Sequence, residues 1–267
     1  MSADRDPATG AGGPARADDA APPSPALTLV IPVYQGAAFL ADTLRELEAW
    51  LAGRPAPTEL IFVDDGSRDD GAARIEAALD RLPGARLLRS PRNCGKGHAV
   101  RQGVLASRGA QVAFTDADLA YPPEQVEVLL AALDRGADVA IADRSAPGSR
   151  VTLGADVLVY VWRRHLASRV FNRLTRLLLG IPYRDTQAGL KAFRGDVARA
   201  LFQELELDGF AFDLELLALA HRRGLRVAEV PVVYRHLSEA STIHLGQDAR
   251  HLLQDALEVR RRLGPPP

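Results

Sequence analysis

Cysteine is almost missing: Cys94 is the single one in 267 residues. That excludes an internal disulfide framework and any cysteine-based zinc site, and it agrees with a reducing cytoplasm. An excess of either charge is missing too. Against 33 Lys+Arg stand 34 Asp+Glu, a formal net charge of -1, so no global field draws the chain to nucleic acid. No uninterrupted apolar run is long enough to span a bilayer. The N-terminus, with Asp4, Arg5 and Asp6, lacks the apolar core of a secretory signal. Any membrane contact is therefore expected to be peripheral. No internal repeat of fixed period is present. Large apolar side chains are scarce in residues 1–26, which are rich in Ala, Gly, Pro and Asp. Such a segment cannot offset the entropy of ordering and is expected to be a disordered tail.

What is present is ordinary globular material, 47% hydrophobic and 25% charged. It suffices for one large α/β domain or two small ones. Strands are expected at 27–32, 59–63, 85–89, 111–115 and 138–142, and helices at 39–51, 72–82, 96–107 and 123–135. This alternation implies βαβ units and a mostly parallel sheet flanked by helices. Beyond residue 150 the pattern shifts. A long helix is expected at 156–179, followed by Lys191-Ala192-Phe193, helices at 195–204 and 213–223, one strand at 226–234, and a last helix at 248–262.

The most informative stretch is Val112-Ala113-Phe114-Thr115-Asp116-Ala117-Asp118. An apolar, strand-like run ends in two carboxylates one residue apart. Ligands of open α/β sheets collect at the carboxyl ends of strands. Two hard oxygen donors there suit Mg2+ or Mn2+ carrying a substrate diphosphate. On an extended segment the two acids project to the same side. The plainer alternative is a pair of solvated loop acids. Asp64-Asp65-Gly66-Ser67 also follows a strand, where a carboxylate can meet a base N–H or ribose hydroxyls; a simple Asp-Gly turn is the alternative. Asn93-Cys94-Gly95-Lys96-Gly97 precedes a helix and combines backbone N–H groups with a cation, which suits phosphate. It lacks the Walker A spacing, and taken alone a glycine-rich turn is the better explanation.

The segment 156–179 interleaves Arg163, Arg164, Arg169, Arg173 and Arg176 with large apolar residues. It suits either an anionic membrane surface or packing on the sheet. The polar run from Arg184 to Lys191 has the composition of a functional loop. Asp213 reads first as the N-cap of the helix after it. Of the six histidines, His236 and His244 lie late enough to approach a metal, although most lone histidines are structural.

Together, Ile31-Pro32-Val33-Tyr34, Val63-Asp64-Asp65-Gly66-Ser67, Asn93 with Gly95-Lys96-Gly97, and Asp116-Ala117-Asp118 resemble the family-2 glycosyltransferases of the GT-A fold. Arg184-Asp185-Thr186-Gln187 with Gly189, Lys191-Ala192-Phe193, Phe210-Ala211-Phe212-Asp213-Leu214-Glu215 and Glu229-Val230-Pro231-Val232 narrow the likeness to the polyprenyl-phosphate hexosyltransferases. The dolichyl-phosphate β-glucosyltransferase type is nearest and the mannose synthase type next. The resemblance covers about residues 27–262.

It implies one GT-A domain over 27–267, with a nucleotide-sugar half (27–145) and an acceptor half (146–267). By resemblance, Asp65 or Asp64 contacts the base, and Pro32 and Tyr34 line its pocket. Asp116 and Asp118 hold the metal, with Ala117 between them. Lys96, Arg144, Arg235 and Ser241 approach the sugar and phosphates. Mannose synthases often carry Gln where this chain has Ala120, which favours the glucosyl branch. The implied reaction moves a hexose, glucose from UDP-glucose before mannose from GDP-mannose, with inversion. A phosphate acceptor is already anionic and needs cations rather than a base; Arg144, Arg184 and Lys191 are candidates, with Gln187 beside them. A hydroxyl acceptor needs a base, for which Asp213 or Asp185 is the choice. A soluble acceptor and a non-catalytic nucleotide-sugar-binding protein are the alternatives. The expected location is cytoplasmic, with possible peripheral contact at the inner face of the cell membrane.

Overall fold

Strand-forming apolar runs that are buried on both faces make up the centre of the protein. In the computed structural model, which describes residues 25–153, 173–236 and 247–265, nine strands and seven α-helices are placed beside a further helical segment at 173–179. In chain order they are β1 (Leu27–Val33), α1 (Ala37–Ala52), β2 (Thr58–Asp64), α2 (Gly71–Glu76), β3 (Ala85–Arg89), α3 (Lys96–Leu105), β4 (Gln111–Phe114), α4 (Glu124–Asp134), β5 (Val139–Asp143), β6 (Arg150–Leu153), β7 (Lys191–Arg194), α5 (Gly195–Glu204), α6 (Phe212–Arg222), β8 (Val227–Pro231), β9 (Val233–His236) and α7 (Gln247–Leu263). Residues 173–179 are helical; the rest of the long helix expected at 156–179 lies outside the described residues, as does the tail through residue 24.

Seven strands form one sheet in the order β3-β2-β1-β4-β7-β5-β8, and β6 pairs with β9 in a second. All pairings are parallel except those of β7, which runs antiparallel to β4 and to β5. The side chains of the strands in the seven-stranded sheet alternate between two cores. Leu29, Ile31 and Val33 pack with Leu40, Leu47 and Leu129. Val30, Ile61 and Val63 pack toward Val100, Phe202 and Leu216 on the other face.

This topology positions the site in two ways. The chain leaves β1 for β2 on one side and later returns with β4 on the other, so a crevice opens between the carboxyl ends of β1 and β4. Because β7 is antiparallel, its first residue sits at that same edge: Lys191 is in register with Phe114, the last residue of β4. The loop from Arg184 to Leu190 is thereby delivered beside Asp116.

Two expected elements differ. The strand at 226–234 is two strands in different sheets. Pro231 ends β8, having no N–H to donate, and the Val232 N–H donates to Ser149 Oγ at 3.1 Å, turning the chain out of the sheet. The helix at 72–82 is α2 followed by a single 3-10 turn, Leu79–Arg81. Among the described residues no helix is long and apolar enough to cross a membrane.

Candidate active site

β4 stops at Phe114, so the acidic pair is not on extended backbone as expected. Residues 116–119 form a tight turn: the Leu119 N–H donates to the Asp116 carbonyl at 3.1 Å, and Leu119 has φ of 49°. Asp118 Oδ1 accepts the Ala120 N–H at 3.0 Å, and the Ala117 carbonyl accepts the Thr43 hydroxyl at 2.7 Å. The turn, not strand alternation, holds the two carboxylates together. Gly189 lies directly against Asp116, where a Cβ would stand 1.8 Å from Oδ2.

Lys96, at the start of α3, donates to Asp116 Oδ1 and forms an ion pair with it. Burial works against both charges, but the pairing outweighs it. The Lys96 ammonium is held above its ordinary pKa by Asp116, Asp213 and Asp118. Asp116 is held below its own by Lys96, Lys191 and Arg144. Asp118 moves the other way: burial and then the like charge of Asp116 raise it. It forms no ion pair among the described residues.

Two further pairs complete the cluster. Arg144 grips Asp185 with both arms of its guanidinium, at 2.7 and 2.8 Å, and with its backbone N–H at 3.0 Å. Its cation also lies 5.6 Å from the centre of the Tyr234 ring, which is tilted against Tyr121 at 5.2 Å. Lys191 is fully buried; its ammonium donates to Asp213 and to the Ala188 carbonyl, both at 2.7 Å. Burial lowers the Lys191 pKa and raises that of Asp213, the direction expected when two charges leave water. Asp213 is therefore not the expected N-cap. Ala211 holds that position without a side-chain cap, and Asp213 in the first turn of α6 accepts from Lys191 instead.

The second acidic motif splits its work. Asp65 accepts the N–H groups of Cys94 and Gly95 at 2.9 and 2.7 Å, tying the loop before α3 to the end of β2. Asp64 instead lines a cavity of about 490 Å³ with Tyr34, Ser67, Arg68, Arg89 and Arg92. Tyr34 is 47% exposed and Pro32 half-buried in β1. Gly66, with φ of 71°, lies so close to the Arg92 backbone that a Cβ would meet it at 2.3 Å.

The remaining expected residues are less central. Arg235 pairs with Glu46 at 3.0 Å. Arg184 is half-exposed and approaches Asp143 at 3.2 Å. Gln187 is half-buried in the loop before β7. Ser241 and His244 lie outside the described residues, and of His236 only the backbone, at the end of β9, is described. Reading by motif missed Arg68, Arg89 and Arg92 in the cavity, and Tyr121 and Tyr234 beside Arg144. Arg68 and Arg92 flank two of the motifs and could have been read with them, whereas Tyr121 and Tyr234 come together only through the fold.

Residues 28–202 match the family described as Glycosyl transferase family 2. The chain belongs to that family. A dolichyl-phosphate beta-glucosyltransferase of Drosophila melanogaster is 35% identical over 243 residues, 85% of this chain and 74% of that protein. One from Trichomonas vaginalis is 31% identical over 232 residues, 80% of this chain and 65% of that protein, so the glycosyltransferase spans just under two thirds of that relative. A polyprenol monophosphomannose synthase of Mycolicibacterium smegmatis is 31% identical over 211 residues, 76% of this chain and 77% of that one. Among solved structures, glucosyl-3-phosphoglycerate synthase from Mycobacterium tuberculosis in complex with uridine diphosphate superposes with a TM-score of 0.65 at 24% identity, covering 88% of this chain and 80% of that one. The fold is GT-A.

The donor set fits a divalent cation shared with substrate. Among the described residues no group of three or more His, Cys, Asp or Glu could hold a metal alone. Mg2+ is ordinarily held by one or two carboxylates plus substrate phosphates, and Asp116 and Asp118 supply that number. Gly189 leaves the space that Asp116 Oδ2 occupies.

Proposed function

We propose that this glycosyltransferase moves a hexose from a nucleotide sugar to a polyprenyl phosphate with inversion at the anomeric carbon. UDP-glucose is the first choice of donor and GDP-mannose the second. The observation that carries the reading is the Asp116–Asp118 turn, faced by Lys96 at the crevice where β1 and β4 part. The Drosophila and Mycolicibacterium relatives, named for dolichyl-phosphate glucosylation and polyprenol monophosphomannose synthesis, support the choice of acceptor.

In this reading residues 27–145 bind the donor. Asp64, Tyr34 and Pro32 receive the base, Asp65 holds the Lys96 loop in place, and Lys96 faces the diphosphate. Asp116 and Asp118 would hold Mg2+ or Mn2+, which supplies neutralisation of the charge on the departing diphosphate. Residues 146–267 provide much of the acceptor side. An oxygen of the acceptor phosphate attacks the anomeric carbon, and the bond from that carbon to the β-phosphate oxygen breaks on the opposite face, releasing the nucleoside diphosphate. Arg144 and Arg184 offer positive charge to the incoming phosphate. Lys191 is too buried to touch it and steadies Asp213 beneath the site. Among the described residues, neither carboxylate expected to serve as a base is open to a substrate hydroxyl, which favours a phosphate acceptor. Asp185 is engaged by Arg144, which outweighs burial and holds its pKa low, and Asp213 is sealed on Lys191. A lipid-borne acceptor calls for peripheral contact with the inner face of the cell membrane.

A donor and acceptor screen tests this. Purified protein is incubated with Mg2+ or Mn2+, labelled UDP-glucose or GDP-mannose, and polyprenyl phosphate in detergent or a panel of soluble acceptors. Label in a lipid phosphate from UDP-glucose is expected. Label in soluble acceptors alone would reject the lipid assignment.

A further inference from the structure

We infer that Lys96 is a stand-in cation: it occupies Asp116 while the donor is absent and releases it to the divalent ion when a diphosphate arrives. Metal and nucleotide would then bind as a coupled pair. This deepens the function proposed above and rests on it.

The Lys96 ammonium already takes Oδ1 of Asp116, and Oδ2 lies close against Gly189, so the carboxylate is partly claimed before any ion arrives. A cation entering the cleft alone meets one carboxylate, Asp118, that no described cation pairs, and another already neutralised. Two like charges repel across such a site, so an ion arriving alone must displace Lys96 and leave the ammonium without a partner. A diphosphate removes that obstacle, since its oxygens give the ammonium a new partner and free Asp116 Oδ1.

The surrounding structure allows this exchange to be confined to one side chain. Asp65 fixes the backbone before Lys96 by taking the Cys94 and Gly95 N–H groups. The His98 N–H is held by the Asp208 carbonyl at 3.1 Å. The Lys96 side chain retains 19% of its exposure and that of Asp116 33%, so the pair borders solvent and can be opened by ligand. Local charge points the same way. Lys96, Arg144 and Lys191 face Asp116, Asp118, Asp185 and Asp213, leaving three cations for four acids. A divalent ion turns the excess positive, and the diphosphate reverses it again. Each ligand thus favours the other, and by linkage the two must tighten one another by the same factor.

The test is Mn2+ binding to the full chain, followed by electron paramagnetic resonance of free Mn2+, with and without saturating UDP. In the wild type, UDP is expected to tighten Mn2+ by roughly tenfold or more, a typical coupling between sites. Lys96→Met should bind Mn2+ alone severalfold more tightly than wild type and show little further gain from UDP. Lys96→Arg, which keeps the charge, should behave like wild type. A natively folded Lys96→Met that binds Mn2+ alone no more tightly than wild type overturns the inference. Should that variant lose its native circular dichroism, the wild type decides: Mn2+ affinity indifferent to UDP overturns it equally. A wild type that binds no UDP even with Mn2+ instead refutes the donor-site reading on which the inference stands.

Discussion

Gly189 and Asp116 are 73 positions apart in the sequence, yet a single methyl on Gly189 would stand 1.8 Å from the Asp116 carboxylate. The contact exists because β7 enters the sheet antiparallel beside β4, which sets the preceding loop on the rim where Asp116 emerges. The loop before β7 therefore sets the position that the Asp116 carboxylate can take.

Gly189→Ala is the smallest change that tests this contact. The methyl must push Asp116 aside, and overpacking of this kind costs about 1–3 kcal/mol of stability. The variant should remain folded by circular dichroism and melt somewhat earlier. Its transferase activity should fall far more than its stability. Near-normal kcat in Gly189→Ala would show that Asp116 need not hold its present position.

Arg144→Lys keeps the charge beside Asp185 but not the two-armed grip. A lysine is a point charge and does not reproduce that geometry. Activity is expected to fall by roughly tenfold or more, the cost of a mispositioned reacting group, with little change in melting temperature. Steady-state kinetics with varied acceptor phosphate provide the check, with the loss expected chiefly in kcat/KM for the acceptor.

The alternation of strands and helices up to residue 143 was legible because apolar runs and glycine-rich turns are local signals. The acids at the ends of β2 and β4 stood out for the same reason. Pairings between distant segments were not. Nothing in the spacing of Lys191 and Asp213 marks them as partners, since the antiparallel insertion of β7 brings them together. The break at Pro231 was missed because the apolar run continues through Val232 and Val233; only the Ser149 hydroxyl and the second sheet explain why the chain turns out there. Asp64 and Asp65 look equivalent in sequence. Asp65 turns to the loop before α3, where it takes two backbone N–H groups, while Asp64 takes the Ser67 N–H at 3.1 Å and lines the cavity.

Lys191→Met should be costly. It leaves the Asp213 carboxylate buried without its cation, and breaking one side of a buried pair typically costs about 3–5 kcal/mol. Lys191→Met combined with Asp213→Leu removes both charges and should recover part of that loss. Urea unfolding of the two variants and the wild type measures both steps. A single variant as stable as wild type would contradict the buried pairing.

Glu59 provides a pH-dependent test away from the site. Its buried carboxylate accepts from Thr28 at 2.7 Å, from the Arg108 N–H at 3.0 Å, and from the Arg86 and Arg108 guanidinium groups at 3.2 and 3.1 Å. Burial pushes its pKa up, but these partners outweigh burial and hold it below the ordinary glutamate value. A depressed folded-state pKa contributes stability that is fully present above the unfolded value and is lost as pH falls through the folded one. Glu59→Gln should therefore cost about 1–3 kcal/mol at neutral pH. The gap to wild type should narrow below the ordinary glutamate pKa. Urea titrations at neutral and acid pH measure it, and a gap that widens on acidification would contradict this sign.

The most direct measurement is transfer of labelled glucose from UDP-glucose to polyprenyl phosphate in the presence of Mg2+ or Mn2+, comparing wild type with Asp116→Asn and Asp118→Asn. Loss of a group that stabilises charge in the transition state costs roughly 100- to 1000-fold in kcat. The account predicts a labelled lipid product from wild type, its abolition by chelation, and losses of that size in both variants with the fold intact. Transfer that persists in both variants, or that ignores chelation, would contradict it.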